Sequence, residues 1–525
     1  MFGLSTVGVF LYFLFFVSLI SFSMYVSRTK EVTVESYFFA NRNIHWLMLG
    51  VSLLTPSFFS PYIFGLSLSG TSELIIVYGI ISAIMLVILG WFLIPLYLKL
   101  KINTLPEYFE KRFNRACRLF ISSLYIFYNI FIRLIVILVT GSIIISTIRG
   151  VDTYSSLLFF LIITGIYVIT GGLHAEIYVN VILVSLIAIG IAGFSLWAVY
   201  QSDGINSAIY KIAPSTNYNS GSTSTWSNLM LGLPILGFWF WCTDQFIVQK
   251  TLSARTTSFA RKATLFSGFL QIIPILIFIL PGIISIKLFQ DAAFESSMHS
   301  LFSGSILPET IKAGIIIAVA AVLMGSFAGL FNSTSSLITF DFYRNLRPAA
   351  SDRKLVLVGR LTTIFLVLFS ILLIPLSQNM DFNYSLKLFE TFAYFAALVT
   401  GVFLTGLLNK KINSFSALAT LSVGTVIILL RSLLNIIFDY NPAGNGFFSW
   451  FIEVNFLVFS FFIFLLSIFS LFLFSRLTLV QLASGSFLRI LKEIFLKLKI
   501  RWNFNKTVFL ILLVLVIIVT WGVLF

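Results

Sequence analysis

The sequence predicts an all-α polytopic membrane protein with about 14 transmembrane helices. Hydrophobic residues make up 59% of the 525-residue chain, charged residues make up 10%, and the mean hydropathy is +1.03. These values exclude a soluble globular protein. Apolar runs recur between short polar loops, and each is close to the roughly 20 residues that a bilayer core of about 30 Å requires.

The predicted spans are apolar runs with few charged residues. Their centres lie near Leu14, Ser57, Met85, Leu134, Leu161, Ile187, Gly237, Ile275, Met324, Val367, Val399, Ile427, Phe462 and Val514. The first run, from Val7 to Val26, has no basic segment before it and no A-x-A site after it. We therefore expect a retained helix rather than a cleaved signal peptide.

Basic residues collect in alternate loops and set the predicted orientation. The groups lie at Arg28–Arg42, Lys99–Arg118, Lys250–Lys262 and Arg344–Lys354, and further groups follow with the same parity. Because cytoplasmic loops carry an excess of Lys and Arg, we expect these loops inside and both termini outside. The expected location is a cell membrane, as an integral multi-pass protein of a bacterial inner membrane.

The net charge of +15 is explained by these loops, since anionic lipid attracts their basic residues. The predicted partner is thus the lipid bilayer, and no nucleic acid is expected. Within the basic segment 478–502, the stretch from Phe487 to Trp502 interleaves apolar and basic residues. This pattern predicts an amphipathic helix on the inner leaflet, with a solvated connector as the alternative.

One span contains residues that a simple membrane anchor does not need. The segment from Leu233 to Ala254 carries Pro234 and Gly237 in its apolar part and ends in polar residues that include Thr243 and Asp244. Because unsatisfied backbone groups cost several kcal/mol in lipid, such an interrupted helix indicates a water-lined path. Asp244 itself is expected to act at a helix end or as a pairing group, like Asp341.

A second interrupted span lies near the start of the chain. The segment from Trp46 to Gly70 contains Pro56 and Pro61, which should open the backbone and free carbonyls near Thr55 for a cation. A kinked packing helix is the alternative. The two interrupted spans are five helices apart, which is the spacing of corresponding positions in an inverted repeat.

Residues for metal, cofactor or covalent chemistry are sparse. Cys117 and Cys242 are single cysteines, and His45, His174 and His299 are isolated. No Walker loop, dinucleotide fingerprint, zincin helix or nucleophile elbow is present. The sequence therefore predicts a protein that is not an enzyme and has no cofactor.

Four segments resemble signatures of the sodium/solute symporter family, and within it of the sodium/glucose cotransporter branch. They are TLPEYFEKRF at Thr104–Phe113, YVITGGL at Tyr167–Leu173, WCTDQFIVQKTLSAR at Trp241–Arg255 and FNSTSSLITFDFY at Phe331–Tyr343. The resemblance implies one transporter domain over residues 1–525, with a leucine-transporter-type core of two inverted five-helix repeats. By this likeness the repeats cover 44–205 and 228–409, after an extra helix in 1–30 and before C-terminal helices in 410–525.

The resemblance also implies that sodium is the coupling ion of a small-molecule solute transported by alternating access. The positions that match the family's main sodium site are Thr55, Phe58, Val322, Gly325 and Ser326. Gly325 lacks one of the two hydroxyls of the family pattern, and Asn180 replaces an aspartate that many members carry. These departures predict weaker sodium binding, since a polar contact to a charged group contributes about 1.5 to 3 kcal/mol.

The sugar site of the family is altered more strongly. The positions that match its polar and charged ligands hold Ser57, Tyr62, Ile81, Gln271 and Phe389. The aromatic gate of the family remains in part. Phe240 stands where the family usually has a tyrosine, beside Trp241, and we expect both side chains to face the pocket. Because sugar recognition needs several converging donors and acceptors, we expect a smaller or more apolar solute than glucose, or a sugar bound in an altered way.

Two ionisable residues within spans are candidates for coupling. Arg133 lies in the fourth span, and Glu390 lies beside Phe389, about 100° around the helix. We therefore expect sodium-coupled symport of a small organic solute. The alternatives are proton coupling through Glu390, uncoupled transport, and a degenerate transporter that acts as a membrane sensor or scaffold.

Overall fold

The computed structural model describes residues 17–19, 21–23, 25, 33–58, 72–146, 152–201, 226–273, 309–380, 382–438, 451 and 454–477. Within these ranges the regular structure is helical, and one isolated parallel bridge joins Ile44 to Ala254. The predicted span centres Leu14, Ile275 and Val514, the residue Tyr62 and the segment 478–502 lie outside the described residues.

The α-helices follow one another with short connections. They are α1 Val34–Phe39, α2 Trp46–Ser52, α3 Thr55–Phe58, α4 Ser72–Ile88, α5 Ile94–Leu100, α6 Leu105–Arg112, α7 Arg115–Phe127, α8 Leu134–Ser146, α9 Thr153–Gln201, α10 Trp226–Phe238, α11 Gln245–Leu252, α12 Thr257–Leu270, α13 Glu309–Leu337, α14 Arg344–Leu346, α15 Asp352–Gln378, α16 Phe382–Leu408, α17 Ser414–Phe438 and α18 Phe456–Leu477.

Four π-helical segments interrupt longer helices. They are π1 Leu89–Leu93, π2 Tyr128–Arg133, π3 Trp239–Thr243 and π4 Ile338–Tyr343. A π-helical segment shifts the face that the following residues present, and such segments are frequent at functional sites. Two of the four, π2 and π3, border the central cavity described below.

The all-helical, multi-pass architecture predicted from composition is present. Among the described residues, 8 helices are long and apolar enough to cross a membrane, and a bent pair of helices raises this number to 9. The predicted total of about 14 spans extends into residues that the structure does not describe and stays a prediction.

Helix α9 contains two of the predicted spans, with Gly172 at the turn between them. Gly172 has φ +55° and ψ −141°, a conformation that is essentially restricted to glycine. A Cβ atom at this position would lie 2.3 Å from the carbonyl oxygen of Tyr37. The tyrosine hydroxyl of the same residue donates to the carbonyl of Val168, so α1 packs directly on this turn.

The first interrupted helix breaks earlier than predicted. Helix α2 ends at Ser52 and α3 begins at Thr55, with Leu53 and Leu54 in a turn between them. The break therefore precedes Pro56, which lies in the first turn of α3, where a missing N–H leaves no helical bond unmade. Pro61 lies outside the described residues.

The second interrupted helix breaks later than its proline and glycine indicated. Pro234 and Gly237 both lie inside α10, and the chain bends by 41° at Asp244, after π3. Asp244 is extended, with φ −69° and ψ 130°, and its carboxylate accepts from the backbone N–H of Phe246 to cap α11. Gly237 instead allows close packing, since a Cβ there would lie 2.6 Å from Ile81 Cγ2.

Two buried apolar clusters are present among the described residues. One is formed mainly by α8, α9, α13 and α15. The other draws most of its residues from the remaining helices, including α4, α10, α16 and α18, and it also includes residues of α8, α9, α13 and α15. The helices that contribute to both clusters connect them.

A polar cluster ties two of the signature segments together. Arg118 forms ion pairs with Glu107, Glu110 and Asp341, and Asp341 also accepts hydrogen bonds from the hydroxyls of Thr104 and Ser122 at 2.6 Å. Asp341 is thus a pairing group, as the sequence led us to expect. The cluster joins α6 and α7 to π4 at one end of the helices.

Arg112, from the same segment, holds the loop after α16. Its guanidinium donates to the carbonyls of Gly406, Asn409 and Ile412, which gives partners to backbone groups at a helix end. Burial lowers the pKa of Arg112 from its usual value. The signature residues therefore have structural partners at helix ends.

Replacing Gly172 with alanine tests the turn inside α9. We expect Gly172→Ala to destabilise the protein by about 1 to 3 kcal/mol, because the backbone conformation is strained for any other residue. Thermal unfolding of the purified protein in detergent measures this change. Gly193→Ala in the same helix is the control, since a Cβ there meets nothing within 4 Å. Equal stability of the two variants would contradict the assignment of a glycine-specific turn.

Candidate sodium and solute site

A central cavity lies between the two interrupted helices. The space within the cavity and in the solvent at its mouth is about 930 Å³. Its walls come from α4, π2, α8, α10, π3 and α16, and it is also bordered by Pro56 of α3 and Ser326 of α13. A cavity at the junction of broken helices is where transporters of this architecture hold solute and ion.

Aromatic rings form much of the cavity wall. Tyr128 stacks on Phe392 with ring centroids 3.5 Å apart, and Trp239 meets the same Phe392 ring edge-on at 4.4 Å. Phe240 and Phe389 complete this aromatic lining. Rings of this kind offer stacking surfaces and few hydrogen bonds, so they favour a solute with an apolar face.

Among the described residues that line the cavity, Arg133 carries the charge, and it is paired. Its guanidinium forms an ion pair with the buried carboxylate of Asp244 and donates to Asn129 Oδ1 at 3.1 Å. It also lies over the ring of Tyr128 at 4.6 Å and near the ring of Phe246 at 5.1 Å. Arg133 therefore links π2 to the break before α11, and its positive charge is largely compensated within the protein.

The residues predicted to bind sodium lie close together, at the contact between α3 and α13. A Cβ atom on Gly325 would lie 2.3 Å from Thr55 Cγ2 and 3.3 Å from Asn180 Oδ1. The hydroxyl of Ser326 donates to the carbonyl of Val322 at 2.8 Å, which leaves its lone pairs free to bind a cation. The methyl group of Thr55 fills the space that a serine side chain at position 325 would need.

Phe58 is the fifth residue of the predicted sodium set. Its backbone lies in α3, one turn beyond Thr55. The hydroxyl of Thr55 is buried and has no hydrogen-bond partner among the described residues. The structure thus places an unpartnered oxygen where the sequence predicted a cation site.

Asn180 connects this region to a buried ion pair. Its Nδ2 lies 3.4 Å from both Ser52 Oγ and Glu176 Oε1, and its Oδ1 has no partner among the described residues. Glu176 pairs with Lys250 at 2.8 Å. The sequence did not single out Glu176, although it is an ionisable residue within a predicted span, and it placed Lys250 in a basic cytoplasmic loop. Both side chains are buried, so Lys250 belongs to this ion pair and not to an exposed loop.

Three of the predicted solute-contacting residues lie at or beside the cavity. Phe240 and Phe389 line it directly. Ile81 lies behind the wall, packed under Gly237. The aromatic residues Tyr128 and Phe392, which the sequence did not single out, also line the cavity.

The other predicted solute contacts lie elsewhere. Trp241 was expected to face the pocket, but it is fully buried and its indole N–H donates to Ser82 Oγ of α4 at 2.9 Å. Trp239 and Phe240 line the cavity, whereas Trp241 is turned toward α4. Ser57 and Gln271 are buried with an unpartnered polar atom each, outside the cavity lining, and Tyr62 is not among the described residues.

Glu390 does not border the cavity, whereas its neighbour Phe389 does. The charges that act on the Glu390 carboxylate are those of Arg431 and Lys387. This placement follows from the 100° rotation per residue of an α-helix, which turns adjacent residues to different faces.

The fold and the cavity define a membrane transporter built around two broken helices. The structure is similar to that of a Na⁺-coupled sialic acid symporter in a substrate-bound outward-open state, with a TM-score of 0.76, 20% identity, and coverage of 90% of this chain and 98% of that one. It is also similar to a nucleobase-cation-symport-1 family transporter, with a TM-score of 0.52, 13% identity, and coverage of 88% and 99%. These likenesses establish a leucine-transporter-type fold.

The model of the Sodium:solute symporter family matches residues 37–424, so the chain belongs to this family. Sodium/myo-inositol cotransporter 2 from Bos taurus is 30% identical over 82% of this chain and 69% of its own length. Sodium/glucose cotransporter 4 from Mus musculus is 28% identical over 85% and 71%, and sodium/glucose cotransporter 1 from Oryctolagus cuniculus is 28% identical over 77% and 68%. The protein is therefore a multi-pass membrane transporter and not an enzyme, and its family supports sodium-coupled symport.

The ion pair between Arg133 and Asp244 should dominate the stability of the second break. Arg133→Met leaves the buried Asp244 carboxylate without its counter-ion, and we expect destabilisation of about 3 to 5 kcal/mol. Adding Asp244→Asn removes the charge, keeps a capping side chain, and should recover much of the loss. Thermal unfolding in detergent measures both changes.

The control for this experiment is Arg42→Met, which breaks the ion pair with Glu35, whose side chain is 55% exposed. Its expected cost is about 0 to 1 kcal/mol. If Arg133→Met and Arg42→Met lower the unfolding temperature equally, the Arg133–Asp244 pair does not have the structural role described here.

Proposed function

We propose that the protein is a secondary active transporter that carries a small organic solute together with sodium by alternating access. The candidate sodium site borders the central cavity, and this contact is the observation that supports the proposal. The cavity reaches Ser326, and Ser326 belongs to the same group of residues as Thr55 and Gly325. An ion at this group would hold α3 and α13 together beside the solute, so binding of the ion and of the solute would be coupled.

The coupling ion is sodium, bound by Thr55, Phe58, Val322, Gly325 and Ser326. Oxygen ligands from a helix break and a facing helix suit a hard cation. Ser326 supplies the hydroxyl, and carbonyl groups supply the rest. Glu390 lies away from the cavity, and its position therefore favours sodium over a proton that uses this carboxylate.

The solute is smaller or more apolar than glucose. The sodium/myo-inositol and sodium/glucose cotransporters that resemble this chain are named for polyhydroxylated solutes. Here the cavity presents aromatic rings and a guanidinium that is already paired with Asp244. A solute with one apolar face and a few polar groups would stack on these rings without leaving many hydroxyls unpaired.

The protein is placed in a bacterial inner membrane with both termini outside. The alternation of basic loops supports this orientation. Alternating access in this arrangement would open the cavity to one side at a time.

Uptake by proteoliposomes tests the function. We expect an inward sodium gradient to drive solute accumulation, with potassium in place of sodium as the control. The solute panel should cover polyols, sugars, amino acids, carboxylates and nucleobases, ranked first by sodium-dependent thermal shift, because a ligand of the folded state raises its apparent stability. Uptake that ignores the sodium gradient for every solute that binds would contradict the proposed coupling.

Serine substitutions at Thr55 and Gly325 test the sodium site. Gly325→Ser combined with Thr55→Ser adds the absent hydroxyl and removes the methyl group that fills its space. A polar contact to a charged group contributes about 1.5 to 3 kcal/mol, so the sodium concentration for half-maximal uptake should fall by roughly 10- to 100-fold. Sodium titrations of uptake measure this value.

Thr55→Ser alone is the reference for the double variant. Gly325→Ser alone should lower the unfolding temperature, because its Cβ would overlap the Thr55 methyl group. A double variant that folds well and keeps the sodium dependence of Thr55→Ser would place the ion elsewhere.

A further inference from the structure

A buried ion pair lies next to the predicted sodium site. Lys250 of α11 and Glu176 of α9 are 2.8 Å apart, and their side chains are 1% and 0% exposed. The pair joins two helices from different repeats. A buried ion pair gains little stability over an apolar pair of similar size, so stability alone does not account for these residues.

The Lys250 ammonium also contacts the first helix break. It donates to the carbonyl of Ser52 at 3.3 Å, at the C-terminal end of α2. Carbonyls at such an end carry partial negative charge and attract cations. Lys250 is therefore a cation of the protein itself, held by a carboxylate and by a freed backbone carbonyl.

The Glu176 carboxylate is the acceptor for three side chains. Lys250 and Asn180 Nδ2 meet its Oε1, and Asn332 Nδ2 of α13 donates to its Oε2 at 2.5 Å. Both asparagines are buried, and the Oδ1 atom of each has no partner among the described residues. The amide nitrogens of both asparagines thus contact the Glu176 carboxylate, while their amide oxygens have no partner among the described residues.

These oxygens connect the ion pair to the sodium candidates. Asn180 Oδ1 lies beside Gly325, 3.3 Å from a Cβ placed there, and the unpartnered hydroxyl of Thr55 belongs to the same contact. Unpartnered buried oxygens are costly unless a cation or donor meets them. Thr55 and Asn180 therefore both lie against Gly325, each with an unpartnered oxygen, and Asn180 also contacts Glu176.

The position of Glu176 follows from helix geometry. It lies four residues before Asn180, which places both side chains on one face of α9 one turn apart. It also lies one turn beyond Gly172, at the end of the span that the basic loops predict to be cytoplasmic. The carboxylate is thus on the predicted cytoplasmic side of the sodium candidates.

We propose that Glu176 is the carboxylate through which the coupling sodium ion passes on the cytoplasmic side of its site, and that Lys250 neutralises this carboxylate when no sodium ion is there. This inference rests on the proposed sodium-coupled function. A buried carboxylate needs a counter-ion at every stage of the cycle. The sodium ion and the Lys250 ammonium serve alternately as the counter-ion of Glu176. Because the two cations repel each other, movement of sodium is coupled to the contact between α11 and α9.

The decisive variant removes both charges at once. Glu176→Gln combined with Lys250→Met leaves no unpaired buried charge, so the fold should persist, as checked by thermal unfolding and by solute binding. We expect the maximal rate of sodium-driven uptake to fall at least tenfold and the sodium half-saturation to shift, while the solute affinity changes less than threefold. A role limited to packing would leave the rate and the sodium dependence unchanged.

A relocated charge gives a second measurement. Adding Asn180→Asp to Glu176→Gln returns a carboxylate one turn away on the same face of α9. The new carboxylate lies beside Ser52, whose carbonyl Lys250 contacts, and it should restore at least a third of the uptake rate. The uptake rate of Glu176→Gln alone should fall at least as far as that of Glu176→Gln/Lys250→Met. The matched control is Glu35→Gln with Arg42→Met, which removes an exposed ion pair and should keep the rate of the unaltered protein.

The outcomes separate the two claims. If the unaltered protein shows no sodium-driven uptake of any bound solute, the proposed function fails. If it shows such uptake, and the well-folded Glu176→Gln/Lys250→Met variant keeps both its rate and its sodium half-saturation, the role of Glu176 and Lys250 is overturned.

Discussion

The structure depends on how the membrane-embedded helix breaks are given partners. Lipid offers no hydrogen bonds, so each freed carbonyl must meet a donor from another part of the protein. At the second break the hydroxyls of Tyr97 and Tyr125 donate to the last carbonyls of π3. At the first break Lys250 donates to Ser52. These donors come from distant parts of the chain, so the breaks form only when the helices are packed.

The same requirement shapes the central cavity. Asp244 caps α11 and needs a counter-ion, which Arg133 supplies from π2. The ion pair joins π2 to the break after π3, where the rings of Tyr128 and Trp239 contact each other edge-on at 5.3 Å and both meet Phe392. Because Arg133 and Asp244 are engaged with each other, the described part of the cavity wall offers a solute mainly aromatic rings.

Local sequence features predicted that the helices break, but the breaks among the described residues do not lie at the prolines. Pro234 stays within α10, while the chain bends at Asp244, where a side-chain cap and an ion pair stabilise an extended residue. Proline can remain in a membrane helix when neighbouring helices compensate for its missing donor. Trp241 also departs from its predicted position, since it is buried and donates to Ser82 instead of facing the cavity.

The sequence by itself determined the membrane class, the helical fold and the family, and its resemblance to the family selected the residues of the candidate sodium site. Hydropathy and short signatures carry this information because lipid imposes it on each segment separately. Tertiary structure decided that the Thr55 methyl group fills the space over Gly325, and that Glu176 meets Lys250. Such contacts join residues of helices far apart in the chain. No local pattern encodes them, because they depend on how several helices pack at once.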